Sequence, residues 1–358
     1  MTKIKSHKME HPKPYKLSII IPTYERPTYI ARAVSYWMGS DFKVYVLDGS
    51  KQPNDVIRAR CEETNIDYHW LPISVQQRLS KITEHIDTEY TVMCGDDEFL
   101  LKSTISTLIE HLDEDPSLGS CCGQSVLFNH TREGIQYKRE YASFHQRQSL
   151  SPIAEARIES HFRPYAPSTI YAVMRSTIWK YAMACCMVYT FKPYDIEELL
   201  FEIIAVTKGR TKCIPELYWL RSQENEPVRN NEGNTLITAD WWSDSTYKDD
   251  VEKSMRLFDD VTDEHGNVPK DQSYVEKGLS IYLSWWRDKV ESDRNPPSPK
   301  RFDLIGWILS LMPSRDVDLD GFHSLQDINC VLHKDCEPDQ ISELSEINKL
   351  ILTTDPQK

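Results

Sequence analysis

Two apolar runs near the start of the chain each stop abruptly at small and acidic residues. Leu17-Ser18-Ile19-Ile20-Ile21 closes at Pro22-Thr23-Tyr24-Glu25-Arg26-Pro27, and Phe42-Lys43-Val44-Tyr45-Val46-Leu47 closes at Asp48-Gly49-Ser50. Such β-branched and aromatic runs read as strands buried on both faces, as in parallel sheets covered by helices. Between them Ile30, Ala33, Val34 and Trp37 recur at helical spacing after Thr28, a residue able to cap the turn. The unit is strand, loop, helix, strand. It predicts an α/β fold, in which ligands gather outside the carboxyl ends of the strands.

A later strand pattern, Tyr90-Thr91-Val92-Met93-Cys94-Gly95, runs straight into Asp96-Asp97-Glu98. Three adjacent anions repel one another and lose solvation when partly buried, and a divalent cation among them would relieve both costs. Hard oxygen ligands suit Mn2+ or Mg2+. A metal held by one or two carboxylates keeps positions open for phosphate oxygens, which points to a nucleotide-diphosphate substrate. The competing reading is a solvated turn.

The remaining pattern orders the chain. Helices are expected over Asn54–Asn65, over Ser74–His85 with Gln76, Gln77 and Arg78 in its first turn, and over Ser103–Leu112; strands are expected over Ile66–Leu71 and Leu118–Phe128. Residues 129–165 read as a long polar connection, followed by a strand over Ser168–Met174, a helix over Ile196–Thr207 and, after Gly209 stops it, a return strand running to Ile214. Beyond Asn225 the chain turns acidic and helical, with Trp241, Trp242, Trp285 and Trp286 on apolar stripes. The expected division is a flexible tail over 1–14, a catalytic α/β domain over 15–225 and a helical region over 226–358.

A net charge of -13 argues against a nucleic-acid surface, because an anionic substrate can then be held only locally, by metal and a few arginines. Nine cysteines, odd in number and with two vicinal pairs, form no disulfide framework; with no signal peptide ahead of them, they fit a cytoplasmic location. No run of 18 apolar residues exists to span a membrane. Residues 301–315, apolar with Trp307 and flanked by Arg301 and Arg315, read either as a core helix or as a peripheral contact with the inner face of the cell membrane.

In order and spacing, IIPTYERP, VYVLDGS and the strand ending in GDDEF resemble the GT-A-fold, family 2-like bacterial polysaccharide glycosyltransferases. The resemblance implies a mixed, mainly parallel sheet flanked by helices, a nucleotide-sugar donor, expected to be a UDP-sugar, and a saccharide or lipid-linked acceptor in surface polysaccharide synthesis. Residue by residue, it implies that Pro22, Thr23, Tyr24, Glu25, Asp48, Arg78, Asp96 and Asp97 face the nucleotide. Arg221 falls where the family often has a basic group near the diphosphate, and Asp96 and Glu98 would hold the cation. Glu98 stands where the DXD motif has its last Asp. Inverting transfer also needs a base for the acceptor hydroxyl. Asp195, at a helix start, is the leading candidate, with Glu197 and Glu198 behind it; the competing role for Asp195 is an N-cap. Two alternatives stay open: a sugar nucleotidyltransferase, whose Gly-rich, Lys-containing loop is missing from Pro22–Pro27, and a non-catalytic nucleotide-sugar or glycan-binding protein.

Overall fold

The computed structural model describes residues 15–141, 148–166, 169–186, 191–193, 196–225, 236, 238–253, 255–256, 274–294, 321–332 and 334–354. The first apolar run is β1 (Leu17–Thr23), followed by α1 (Pro27–Trp37), β2 (Lys43–Asp48), α2 (Asp55–Cys61), β3 (Ile66–Trp70), α3 (Val75–Ile82) and β4 (Tyr90–Met93). Pro27 opens α1 at a position where a missing N–H costs nothing. A capping box between Ser74 and Gln77 opens α3. β5 (Phe99–Leu100), α4 (Lys102–Glu114), β6 (Leu118–Thr131), β7 (Gly134–Arg139), α5 (Ala154–Phe162), β8 (Val173–Arg175), α6 (Ser176–Cys186), α7 (Ile196–Lys208) and β9 (Arg210–Ser222) complete the main body. Then come α8 (Thr238–Ser243), α9 (Tyr274–Arg294), β10 (His323–Ser324) and α10 (Pro338–Thr353).

One mixed sheet runs β10-β7-β6-β8-β4-β1-β2-β3, with β9 paired to β6 and β5 to β9. The half that carries the acidic strand ends is parallel: β4, β1, β2 and β3 all point the same way. Alternate residues of these strands enter opposite cores, as a period of two requires. Ile19, Ile21, Val44 and Val46 pack with α1, α2, α4 and α10, while Ile20, Tyr45 and Leu47 pack on the side of α3, α5, α6, α7 and α9. Each Ile, Leu or Val withdrawn from water in this way contributes about 1.5–3 kcal/mol, so the strand pattern also fixes which edge stays open.

Three expectations need correction. Residues 129–165 are not one long connection: β6 continues to Thr131 and turns at Arg132-Glu133 into β7, and α5 follows. The strand read over Ser168–Met174 is only the three residues of β8, wedged antiparallel between β4 and β6. The return strand after Gly209 does not end at Ile214 but continues as β9 to Ser222, parallel to β6 with register shifts near Gly119 and Gly123. Gly119 and Gly209 are what bring the two strands together at their start: a Cβ on Gly119 would lie 2.8 Å from the Gly209 Cα.

The C-terminal segment packs into the same body. β10 pairs with β7, and Leu344, Ile347 and Ile351 of α10 lie in the core beneath α1 and α4. Leu101 gives α4 no side-chain cap; Glu343 of α10 supplies it instead, accepting hydrogen bonds from Lys102 N at 2.7 Å, Ser103 N at 3.2 Å and the Tyr36 hydroxyl at 2.5 Å.

Candidate active site at the carboxyl edge of the sheet

Parallel pairing sets the strand ends side by side: Thr23 of β1 is opposite Asp48 of β2, and Ile20 is opposite Met93, three residues before Asp96. The Thr23 hydroxyl donates to Asp96 Oδ2 at 2.6 Å, and Arg26 donates from Nη1 to Asp96 Oδ1 at 3.0 Å and to Asp97 Oδ2 at 3.3 Å. Asn225, beyond β9, donates to that same Asp97 oxygen at 2.6 Å. Arg32 holds the Asp97 carbonyl at 3.0 Å and Glu224 at 2.7 Å. The acidic triplet is therefore no solvated turn.

Asp48 is buried, with Oδ1 accepting from Ser50 N at 2.8 Å and Oδ2 from the Tyr68 hydroxyl at 2.5 Å. Arg78 lies beneath the cluster, not on its surface. Its Nη1 donates to the Thr23 carbonyl at 2.9 Å, Nε is buried without a partner, and its charge acts on both Asp48 and Asp96. Gly49 makes room for it: a Cβ there would lie 1.4 Å from Arg78 Nη1. Pro22 stays in β1 opposite Leu47, Tyr24 is exposed, and Glu25 adopts a φ of 54° while accepting from Lys51 N at 2.9 Å.

Burial, then the neighbouring Asp97 charge, pushes the Asp96 carboxyl up to about 6. The same two causes push Glu98 up to about 8, against the pull of Arg221 and of the Trp219 N–H, which donates to Glu98 Oε2 at 2.9 Å. Both carboxyls hold a proton more tightly than in water, which is the mark of anions with too little compensating charge. Asp96 has both oxygens engaged. Asp97 Oδ1 and Glu98 Oε1 accept no hydrogen bond from the described residues. Among the described residues no three carboxylate, histidine or cysteine groups converge as a ready-made metal cage. A dication held by one or two oxygens and completed by a ligand's phosphates still fits this hard donor set.

The side toward β9 and α7 is aromatic. Trp219 stacks on Tyr171 at 4.4 Å and, more distantly, on Tyr141 at 6.4 Å, and Arg221 lies over the Tyr141 and Trp219 rings while pairing with Glu140 at 3.0 Å. Glu198, in the first turn of α7, accepts from the Tyr165 hydroxyl at 3.1 Å. Burial, then the charges of Glu98 and Glu198, drive the Tyr171 hydroxyl well up, so both carboxylates act on one phenol. Glu197 is half-buried on the same turn, while Asp195 lies outside the described residues, as do 301–315 and the tail over 1–14.

Sequence reasoning brought Thr23, Asp48, Arg78, Asp96, Asp97 and Glu98 to one place but passed over Arg26, Asn225, Tyr68 and Trp219. Arg26 had a signal: it is the cation of the loop that leaves β1, the loop that already supplied Thr23. Tyr68, Trp219 and Asn225 had none, since only pairing across the sheet brings them in.

This is the GT-A form of the α/β fold, a mixed sheet with a parallel half flanked by helices. Residues 1–349 of TarS from S. aureus, in complex with UDP-GlcNAc, share it with a TM-score of 0.51 at 15% identity, over 95% of this chain and 87% of that one. A longer S. aureus TarS chain aligns at 15% identity with a TM-score of 0.47, over 88% of this chain and 48% of its own length, so this chain spans about half of it. No family model and no curated protein matches the sequence. No described helix is long and apolar enough to cross a membrane.

Proposed function

We propose that the protein is a nucleotide-sugar-dependent glycosyltransferase. The observation behind this reading is the hydrogen-bonded set of Thr23, Arg78, Asp96 and Arg26, with Asp48 beside it on the next strand, at the carboxyl edge of a GT-A sheet, the edge where α/β folds take their ligands. The UDP-GlcNAc complex of TarS supports a UDP-sugar as donor. Asp48, fixed by Ser50 and Tyr68, is oriented toward the nucleoside; Arg78, buried behind it and held by the Thr23 carbonyl, places a positive charge next to Asp48 and Asp96. Asp97 and Glu98 present the oxygens that would hold Mn2+ or Mg2+, with Asp96 anchoring the loop. A bound dication would supply charge neutralisation for the departing diphosphate.

On the acceptor side, inverting transfer requires a carboxylate that removes the proton of the attacking hydroxyl. Among the described residues Glu198 suits this role best: it stands in the first turn of α7, where the Tyr165 hydroxyl orients its carboxylate. Glu197 and Asp195 remain in the candidate set. The acceptor is a saccharide or a lipid-linked precursor of one.

The test measures UDP release from UDP-GlcNAc with Mn2+ alongside direct binding of UDP-GlcNAc. Glu198→Gln should lower turnover by about 10²-fold or more, the usual contribution of general base catalysis, while donor affinity stays within about twofold. Binding without turnover for any nucleotide-sugar in a panel would make the protein a binder. Unchanged turnover in Glu198→Gln would remove the base from that position.

A further inference from the structure

Three buried or half-buried arginines surround the acidic loop, and they are not equivalent. Arg32 has 1% of its side chain exposed, is paired with Glu224 and the Asp97 carbonyl, and stacks over Tyr29 and Phe99. Arg78 is 4% exposed and is held by the Thr23 carbonyl over Gly49. Arg26 is different: its side chain is 23% exposed, and apart from the distant Tyr29 ring its side-chain partners among the described residues are the Asp96 and Asp97 carboxylates. It is therefore partly open to solvent, and it sits on Asp96 Oδ1 and on Asp97 Oδ2, the oxygen of Asp97 beside the one an incoming cation would approach.

Building on the glycosyltransferase reading, we infer that Arg26 is the resident counter-cation of Asp96 and Asp97, and that it yields when a dication and a nucleotide diphosphate arrive together. One guanidinium and one dication cannot neutralise the same Asp97 carboxylate fully, so Arg26 opposes the binding of metal alone. The displaced guanidinium keeps its charge and its fork geometry, and a diphosphate is the partner that geometry fits. Diphosphate thus relieves the competition, and metal and nucleotide bind cooperatively. Linkage makes the effect mutual: whatever factor UDP adds to Mn2+ affinity, Mn2+ adds to UDP affinity. Arg26 acts through the carboxylates and is a positioning residue. A purely structural Arg26 would hold the loop together, and its loss would loosen metal binding; a competing Arg26 predicts the opposite sign.

The experiment titrates Mn2+ into the full chain in the absence of nucleotide, following free Mn2+ by electron paramagnetic resonance, for the wild type, Arg26→Gln and Arg26→Lys. It is then repeated with saturating UDP. Arg26→Gln is expected to bind Mn2+ about tenfold more tightly than the wild type or better, within the usual span of coupling effects. Arg26→Lys, which keeps the charge but loses the fork, falls between the two. UDP tightens Mn2+ binding by at least about tenfold in the wild type and by much less in Arg26→Gln. Equal or weaker Mn2+ binding by Arg26→Gln, with its circular dichroism and melting transition intact, overturns the inference; if Arg26→Gln does not fold, Arg26→Lys binding Mn2+ no better than wild type does so. The first titration contains no nucleotide, so its failure counts against Arg26, whereas failure of UDP to bind the wild type overturns the nucleotide-sugar reading.

Discussion

Replacing Asp96 by Asn should make the protein more stable in alkaline buffer and less active at once. The carboxyl is buried, and its pKa is pushed to about 6 from the ordinary 3.8, by burial first and by Asp97 second. A raised folded pKa means that the native state binds the proton more tightly than the unfolded chain, so stability is greatest in acid and falls as pH rises from 3.8 through 6. At roughly 1.4 kcal/mol per pH unit, the full penalty above pH 7 is about 3 kcal/mol, and about half of it is already present at pH 5. Asn has nearly the same shape and no charge to bury. It keeps one oxygen for Thr23 or Arg26, so the advantage of Asp96→Asn over the wild type should grow by about 1–2 kcal/mol between pH 5 and pH 8. Urea unfolding of both proteins at the two pH values, in EDTA, measures this difference while cancelling the titrating groups that do not feel Asp96. An advantage that stays flat or shrinks with pH would mean that Asp96 is well solvated as an anion, and the account of the acidic loop as under-compensated would fall.

Two further outcomes follow from the packing. Glu343→Ala removes the cap of α4 and leaves the Tyr36 hydroxyl without its carboxylate, which should cost about 2–4 kcal/mol in urea unfolding; a loss below about 0.5 kcal/mol would show that water replaces the contacts. Gly49→Ala should push the Arg78 guanidinium off the Thr23 carbonyl, weakening UDP-GlcNAc binding more than about tenfold while the melting temperature drops only slightly, because the end of a flexible side chain gives way rather than backbone. Equal UDP-GlcNAc affinity in calorimetry would separate Arg78 from donor binding.

The parallel half of the sheet was legible because its strands are buried on both faces, and burial on both faces leaves an uninterrupted apolar signature: β1, β2 and β4 lie within a residue or two of the runs read from sequence. β7 was not, since Gly134-Ile135-Gln136-Tyr137-Lys138-Arg139 alternates weakly at a rim where only Ile135 and Tyr137 turn inward. The candidate site divides along the same line. Residues at strand ends, such as Asp48 and Asp96, announce themselves by position, whereas Trp219 reads as one more core aromatic until β5 and β9 pair and bring its N–H to Glu98. Arg78 was placed in the right neighbourhood, but periodicity could not tell that its guanidinium would be swallowed beneath Thr23 instead of facing outward.

The carboxylate of Glu343 closes the start of a helix that begins at Lys102, more than two hundred residues earlier. During synthesis the amides of Lys102 and Ser103 therefore wait, hydrated, until α10 has been made. The acidic loop immediately upstream of α4 inherits that delay, so a nascent chain would complete this edge of the sheet only with the arrival of α10.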